Sequence, residues 1–409
     1  MKHDSKNPLA KDSILKTFRE EIETELIRIL SYWEQLTPDP LHGGFIGRID
    51  NDNHRDLHAA KGSVLNARIL WAYSAAYNFQ PLTAARELAT RAYEYLRDYM
   101  TDKEFGGLYW TVDYSGHALD SHKQIYAQAF GIYAMSEYYK LSGSEEALSN
   151  ALILYRLIEK YSRDTVGGGY REAFAADWNA SDDQRLSEKD ENAPKTMNTH
   201  LHIVEAYANL YEVWPDEQLR LNIISLLAIF DDVIINHKTF HLGLFFADDW
   251  TSHEKTISYG HDIEAAWLLH ACAVSIQEHS FIEKTRNTVL QITDAAMEGL
   301  DPDGGLWYEY DTRSHAMVYE KHWWPQAEAL VGFCYAWQLS SDDQYKQAML
   351  NTWNFIRKNI LDKKNGEWFW GVDRENNPMP AQDKVGLWKC PYHNARACLE
   401  LLKRLPAQT

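Results

Sequence analysis

The chain has 409 residues, of which 45% are hydrophobic and 24% charged, a balance typical of a globular protein with a large core. Its net charge of −18 argues against nucleic acid as a partner, because phosphate backbones are held by basic patches. The sequence has no run of about 20 apolar residues and no apolar export signal near its start, so we predict a cytoplasmic protein without a membrane partner.

A glycine two residues before an aromatic residue recurs six times. The steps between successive copies are 64, 61, 75, 62 and 61 residues, a regularity typical of repeat architectures. The longest step contains an insertion at residues 176–195, rich in Asp, Ser and Glu, which predicts either a solvated loop or a flap over the mouth of the fold. The copies begin at Gly43, Gly107, Gly168, Gly243, Gly305 and Gly366.

Each period contains two helical patterns, for example residues 62–77 and 83–99, then 122–140 and 145–161. The first of each pair is apolar almost all round, as expected of a buried inner helix, whereas the second has a charged face, as expected of an outer helix. The sequence therefore predicts an all-α fold, an (α/α)6 barrel of six inner and six outer helices with short hairpins or loops at one rim. We expect a single domain over residues 1–409, disordered only near residues 1–12 and 406–409.

Polar residues recur at the starts of the predicted inner helices. Taken one per unit, positions 68, 128, 202, 261, 326 and 393 are separated by 60, 74, 59, 65 and 67 residues, which keeps the period of the repeat. A barrel would bring them to one end of its bore, where a buried charge is costly unless it is paired. The set predicts a polar pocket, although a member could instead form a structural pair, such as Arg68 with Glu264.

His261 and Glu264 begin the fourth inner helix and, three residues apart, share one face of it. A carboxylate beside an imidazole can orient the ring and favour its protonated form, which suits acid/base catalysis near neutral pH. Together with His202 and His393, this pair predicts a pocket of three imidazoles that could move a carbon-bound proton next to a carbonyl. A structural His–Glu contact at a helix start is the alternative.

Metal and nucleotide chemistry have less support. His200 and His202 resemble a ligand pair, but residues two apart on a helix point to different faces, and no further ligands complete a site. The glycine-rich stretch 166–170 lacks the strand, the lysine and the Ser/Thr of a phosphate-binding loop. We therefore predict no metal and no cofactor.

Five segments carry a resemblance to a known family: residues 61–71, 188–202, 259–265, 323–330 and 388–394. Through them the chain resembles the N-acylglucosamine 2-epimerase family from about residue 15 to residue 405. The resemblance implies an (α/α)6 barrel. It also implies reversible epimerisation, without metal or nucleotide, at C2 of the reducing-end glucose of β-1,4-linked disaccharides such as cellobiose, lactose or mannobiose.

The resemblance further implies roles for particular residues. His261 and His393 would form the acid/base pair, and His202 would assist at the sugar oxygens. Trp324 and Trp388 would hold sugar rings. The other substrate-binding residues would be Arg68, Tyr126, Asp190, Asn198 and Glu264.

Three other functions fit parts of the pattern. The same residues could return the proton to C1, which would make an aldose–ketose isomerase of the mannose type. A glycoside hydrolase would need two carboxylates across the scissile bond, a role open to Glu264 and Asp190. A non-catalytic sugar-binding protein would use the aromatic residues alone. In each case we expect a monomer or a weak homodimer.

Overall fold

Two concentric rings of α-helices make up the molecule. The computed structural model describes residues 8–252 and 255–406, with side chains from Ser13 onward. The outer helices are α1 (Pro8–Leu36), α3 (Thr83–Tyr95), α5 (Glu145–Leu157), α7 (Glu217–Ile229), α9 (His279–Ala296) and α11 (Asp343–Phe355). The inner helices are α2 (Ser63–Phe79), α4 (Ile125–Ser142), α6 (Met197–Val213), α8 (Tyr259–Ser275), α10 (Trp323–Ser340) and α12 (Tyr392–Arg404).

The inner ring is closed. Each inner helix packs against the next, from α2 against α4 round to α10 against α12, and α12 in turn packs against α2. Because neighbours surround it on all sides, α2 is buried continuously from Ser63 to Ala76, whereas α3 buries only one face. The predicted (α/α)6 barrel is confirmed.

Short antiparallel strands link the repeats at one rim of the barrel. In most units the two residues before an inner helix pair with the segment that follows the next glycine–aromatic turn. A bridge between Ile49 and Val385 joins the first unit to the last. The strands are β1 (Arg48–Ile49), β2 (Arg55–Asp56), β3 (Lys61–Gly62), β4 (Thr111–Val112), β5 (Ala118–Asp120), β6 (Lys123–Gln124), β7 (Ala173–Phe174), β8 (Lys195–Thr196), β9 (Phe245–Phe246), β10 (Thr256–Ser258), β11 (Glu309–Asp311), β12 (Ala316–Val318), β13 (Lys321–His322) and β14 (Gly371–Val372).

Buried ion pairs join the rim loops to the segments that lead into the inner helices. Lys61 Nζ lies 2.7 Å from Asp39 Oδ2, and the lysine side chain is only 1% exposed. Burial alone would raise the pKa of Asp39, but the bond with Lys61 and two backbone N–H groups lower it overall. The other such pairs are Lys123–Asp102, Lys195–Asp164, Lys321–Asp301 and Lys384–Asp362.

The fourth unit replaces both members of this pair. Asn236 occupies the loop position of the aspartate, and Ile257 occupies the strand position of the lysine. Here His241 Nδ1 bonds Asp262 Oδ2 at 2.7 Å instead. The inner helix α8 is therefore held to its loop by a histidine–carboxylate pair.

The insertion at residues 176–195 is anchored to the rim on both sides of α6. On one side Gln124, just before α4, donates to the carbonyl oxygen of Arg185 at 2.8 Å. On the other side Lys255, just before α8, donates to Glu191 at 2.5 Å. These anchors favour the flap over the solvated loop.

The described chain begins with helix α1 and ends just after helix α12. Helix α1 begins at Pro8, so the predicted disorder near residues 1–12 and 406–409 falls largely outside the described ranges. No helix within residues 8–252 and 255–406 combines the length and the apolar composition needed to cross a lipid bilayer. The predicted cytoplasmic location and oligomeric state stay predictions.

The rim ion pairs predict a specific pattern of stability. Substituting Lys123→Met leaves the carboxylate of Asp102 buried and unpaired, so we expect a loss of about 3–5 kcal/mol in the free energy of unfolding. The double variant Lys123→Met/Asp102→Asn removes the stranded charge and should recover part of that loss. Denaturant unfolding of the three proteins measures both effects. Equal stability of the single and double variants would contradict a pairing role.

Candidate active site

The fourth residue of an inner helix ties that helix to its rim loop. In four of the six helices this side chain accepts a hydrogen bond from a backbone N–H of the glycine–aromatic turn. Gln128 and Gln326, which the periodicity placed in the polar pocket, are used in this way, so that part of the prediction is wrong. The bonds run from Leu108 to Gln128, from Tyr170 to His200, from Leu242 to Asp262 and from Leu306 to Gln326.

His200 is such an anchor and not a site residue. Its Nδ1 lies 2.7 Å from the carbonyl oxygen of Thr196, and its Nε2 accepts the N–H of Tyr170 at 2.9 Å. With both ring nitrogens engaged and the imidazole fully buried, its pKa falls to about 4. The apparent ligand pair with His202 is therefore absent from the fold.

The residues two positions beyond the anchors point into the bore. They contact one another around the ring: the Arg68 guanidinium lies 4.2 Å from the Phe130 ring, and that ring lies 4.7 Å from His202. On the opposite side Arg396 Nη2 donates to Glu264 at 2.6 Å and to Glu328 at 2.7 Å. The full set, in helix order, is Arg68, Phe130, His202, Glu264, Glu328 and Arg396.

Arg396 is the centre of a buried ion cluster. Besides Glu264 and Glu328, it donates from Nη1 to Glu205 at 2.5 Å and to the hydroxyl of Tyr392. Burial alone would raise the pKa of Glu205, but Arg396 and other donors lower it to about 2. Burial and the neighbouring Glu328 raise the pKa of Glu264 to about 7.

Two of the three site histidines are backed by carboxylates of this cluster. His202 Nδ1 lies 2.9 Å from Glu205 Oε2, and His393 Nδ1 lies 2.6 Å from Glu328 Oε1. Burial, Arg68, Arg396 and the other two histidines hold the pKa of His393 well below its usual range. A neutral His393 that donates from Nδ1 to a carboxylate keeps a lone pair on Nε2, so Nε2 is the ring atom that can accept a proton.

His261 has a different partner from the one its sequence neighbour suggested. Its Nδ1 lies 2.9 Å from Ser258 Oγ, while Glu264 is bonded to Arg396. Burial and the nearby His202 lower the pKa of His261 to about 3. The prediction that Glu264 favours a protonated His261 is therefore wrong. The carboxylate of Glu264 thus bonds Arg396 and not the imidazole of His261.

Arg68 is not in the predicted ion pair with Glu264. Its guanidinium donates to Tyr126 Oη at 2.6 Å and lies over the faces of Phe130 and Tyr392, at 4.2 and 4.8 Å. Within the described ranges no carboxylate lies within 4 Å of it. Arg68 is thus a buried cation that aromatic rings surround and that forms no ion pair with a carboxylate of the described ranges.

The remaining predicted residues lie toward the mouth. Trp324 packs over His261, with ring centroids 4.8 Å apart, and Trp388 packs beside Tyr126 at 5.9 Å. Asn198 Oδ1 is buried without a hydrogen-bond partner in the described part of the chain. Such an acceptor is costly to bury and is therefore available to a hydroxyl of a ligand.

Asp190 lies on the flap. Its Oδ2 accepts the backbone N–H of Ser187 at 2.8 Å, and burial raises its pKa. Burial, together with the nearby Asp190, raises the pKa of Glu309 to about 7, so the flap lies near the rim strand β11. The structure brings Asp190 to the entrance and not to the imidazole cluster.

Three groups in the bore have the spacing of metal ligands. One ligand atom each from Glu264, Glu328 and His393 lies within 4.8 Å of the others. Arg396 Nη2 bonds both carboxylates, so its guanidinium already takes the position of a bound cation. These residues fit an arginine-centred cluster better than a metal site.

A cavity occupies the half of the bore that lies beyond the ion cluster. It has a volume of about 450 Å³ and is lined by the C-terminal halves of the inner helices. Glu205 and Arg396 line it from above, so the ion cluster separates it from the three histidines.

The sequence prediction missed Glu205, Glu328, Tyr392 and Arg396 as parts of the site. Glu328 and Arg396 each stand two residues after a polar residue in the first turn of an inner helix, which is the fourth residue Gln326 in α10 and the third residue Asn394 in α12. Alignment of the six helices on these polar residues would have identified both. Glu205 and Tyr392 have no such signal.

Known proteins match this chain along most of its length. A family model described as N-acylglucosamine 2-epimerase (GlcNAc 2-epimerase) matches residues 44–397. The chain is 45% identical over 392 residues to a cellobiose 2-epimerase of Bacteroides fragilis, which covers 96% of this chain and 99% of that protein. It is 39% identical to a cellobiose 2-epimerase of Dictyoglomus turgidum, over 96% of this chain and 100% of the relative.

A solved structure agrees with these matches. The cellobiose 2-epimerase from Bacillus thermoamylovorans B4167 is similar with a TM-score of 0.91 and 39% sequence identity. The similarity covers 95% of this chain and 100% of that one. Sequence and fold thus agree over the whole barrel.

The raised pKa of Glu264 predicts how stability changes with pH. Since the folded state keeps this proton up to about pH 7 and the unfolded state releases it near pH 4.5, stability falls as pH rises between those values. Glu264→Gln removes this titration while keeping an acceptor for Arg396. From pH 5 to pH 7.5 the unmodified protein should lose on the order of 2 kcal/mol more than the variant. Denaturant unfolding at both pH values tests this, and identical losses would contradict the assignment.

Proposed function

Because this chain belongs to the N-acylglucosamine 2-epimerase family, we propose that it epimerises disaccharides with its own side chains. It inverts C2 of the reducing-end glucose of β-1,4-linked disaccharides, converting cellobiose to glucosyl-mannose and lactose to epilactose. The names of the relatives that are 45% and 39% identical support this substrate class.

One observation carries the proposal. Three imidazoles from three different helices, His202, His261 and His393, lie around the same end of the bore. The ring of Trp324 lies 4.8 Å from His261 and 5.7 Å from His393, and the ring of Tyr392 lies 4.8 Å from His393 and 6.4 Å from His202. The guanidinium of Arg68, which has no carboxylate partner in the described ranges, lies over the same Tyr392 ring at 4.8 Å. A site that only bound sugar would have no use for this set of proton carriers.

The reaction needs two imidazoles on opposite faces of one carbon. After ring opening exposes the aldehyde at C1, a neutral imidazole takes the proton from C2 and becomes an imidazolium. The C2–H electron pair becomes the C1–C2 double bond of an enediolate, whose negative charge rests on oxygen. The negative charge of the enediolate raises the pKa of the second imidazole, which takes up a proton from solvent and delivers it to the opposite face of C2. His261 and His393 take these two roles and exchange them in the reverse direction.

Arg68 stabilises the charge that this reaction creates. Its guanidinium is buried, fixed by Tyr126 and free of carboxylates in the described part of the chain, so an enediolate oxygen is its natural counter-ion. His202, oriented by Glu205, assists at the sugar oxygens. Donors fixed in advance and pointed at a developing charge are the strongest source of catalysis in such sites.

The mouth holds the sugar rings. Trp324 and Trp388 present ring faces near His261 and near Tyr126. Asn198 Oδ1, which has no hydrogen-bond partner in the described chain, can accept a bond from a sugar hydroxyl. Glu264, bonded to Arg396, lies at the inner end of the site, and Asp190 lies on the flap at its outer end. From this arrangement we infer that the reducing-end sugar binds deep in the bore and the second sugar binds toward the flap.

The acid/base roles predict a large loss of turnover. His261→Ala and His393→Ala should each lower kcat on cellobiose by at least about 100-fold, because each removes one of the two proton carriers. His237→Ala is the matched control, since His237 is exposed on the outer surface and bonds only the carbonyl of Asp231 and, weakly, its carboxylate. If either site variant keeps more than about a tenth of the activity while folding normally, the assignment is wrong.

The products separate the proposal from its alternatives. Incubation with cellobiose in heavy water should give glucosyl-mannose that carries deuterium at C2. A ketose labelled at C1 would indicate an isomerase, and free glucose would indicate a hydrolase. Binding without any label would indicate a sugar-binding protein.

The isolation of Arg68 predicts a separation of activity from stability. Arg68→Met should lower kcat about 100- to 1,000-fold, because the enediolate loses its counter-ion. Its melting temperature should stay the same or rise, because no carboxylate is left behind. Arg396→Met should instead lower the melting temperature steeply, because three carboxylates lose their shared partner. A clearly lowered melting temperature of Arg68→Met, or normal activity of that variant, would contradict this account.

A further inference from the structure

Ser258 stands at the N-cap of α8 but does not cap it. A serine at this position normally accepts a hydrogen bond from a backbone N–H in the first turn, which stabilises a helix by about 1 kcal/mol. Ser258 makes no such bond. Its buried hydroxyl lies 2.9 Å from Nδ1 of His261 instead.

Other helices of the chain have the capping hydrogen bond that Ser258 lacks. Thr196 holds the same position at the start of α6 and accepts the N–H of Thr199 at 3.2 Å. Ser144 caps α5 by accepting the N–H of Ala147 at 3.3 Å. The diversion at α8 occurs where the first turn carries a site histidine.

Within residues 13–252 and 255–406, no carboxylate is hydrogen-bonded to the ring of His261. From neighbouring elements His202 and His393 face it, and both are cationic when protonated. On its own helix Glu264 is bonded to Arg396, and Asp262 is bonded to His241 and to the N–H of Leu242. The hydroxyl of Ser258 is therefore the partner that orients this imidazole.

We propose, resting on the epimerase function above, that Ser258 is a positioning residue that holds His261 Nδ1 so that Nε2 faces the sugar, without adding negative charge. A hydroxyl can accept from Nδ1–H or donate to an unprotonated Nδ1, whereas an ionised carboxylate can only accept. His261 thus keeps its orientation in both neutral tautomers. His202 and His393, which are backed by Glu205 and Glu328, do not share this property.

Three variants of one residue test the proposal. Ser258→Ala should lower kcat on cellobiose about tenfold with little change in KM, because the imidazole of His261 loses its orientation. This loss is smaller than the loss expected when the imidazole itself is removed. Ser258→Thr restores the hydroxyl and should restore most of kcat. Ser258→Asp places an anion beside Nδ1, which raises the pKa of His261 and should shift the acidic limb of the kcat/KM profile upward by about one pH unit.

Stability provides the matched control. Ser258→Ala loses no cap and should keep the melting temperature of the unmodified protein, whereas Thr196→Ala loses a cap and should melt earlier without a shift in the pH profile. Equal destabilisation of the two variants, or an Ser258→Ala variant with unchanged kcat and pH profile, would overturn the proposal.

A measurement that needs no turnover tests the contact between Ser258 and His261 separately from the epimerase activity. Nitrogen-15 NMR of the histidine rings, assigned with His261→Gln, reports the hydrogen bonding of Nδ1 directly. The His261 signals should change in Ser258→Ala and stay unchanged in Thr196→Ala. Unchanged signals in Ser258→Ala would refute the contact even in an active epimerase. A changed spectrum in a protein without epimerase activity would retain the contact and refute the proposed function.

Discussion

One buried guanidinium holds the functional half of the barrel together. Arg396 on α12 donates to carboxylates from α6, α8 and α10, so it fastens three inner helices to a fourth across the bore. Two of these carboxylates, Glu205 and Glu328, also bond the Nδ1 atoms of His202 and His393. The interaction that makes three buried carboxylates tolerable is therefore also the one that orients two imidazoles.

The inner helices divide structural and chemical work between residues two positions apart. Since each residue turns a helix by about 100°, the fourth and sixth residues point in nearly opposite directions. The fourth faces outward and fixes the rim loop, as Gln128 and Gln326 do. The sixth faces the bore, as Arg68 and Glu264 do. A repeat can thus change its chemistry at one position while keeping the contacts that hold the helix.

The sequence predicted the fold better than the register of the site. The period of the glycine–aromatic turns and the contrast between apolar and charged helices were sufficient for the barrel, because both follow from local burial. The choice of one polar residue per helix mistook the anchors Gln128 and Gln326 for pocket residues, since polarity alone does not tell which way a side chain points. The pairing of Glu264 with Arg396 joins residues 132 positions apart, and only the closed ring brings them together.

The site is electrostatically arranged for a charge that appears only during the reaction. Arg396 offsets the carboxylates behind His202 and His393, and the pKa of His393 accordingly stays low although Glu328 bonds it. His393 therefore rests neutral, as a base for a C–H bond must be. Arg68 meanwhile lies close by with aromatic rings and no anion around it in the described structure. An enediolate in this hollow would supply the missing negative charge, so the transition state and not the resting sugar would gain most from the site.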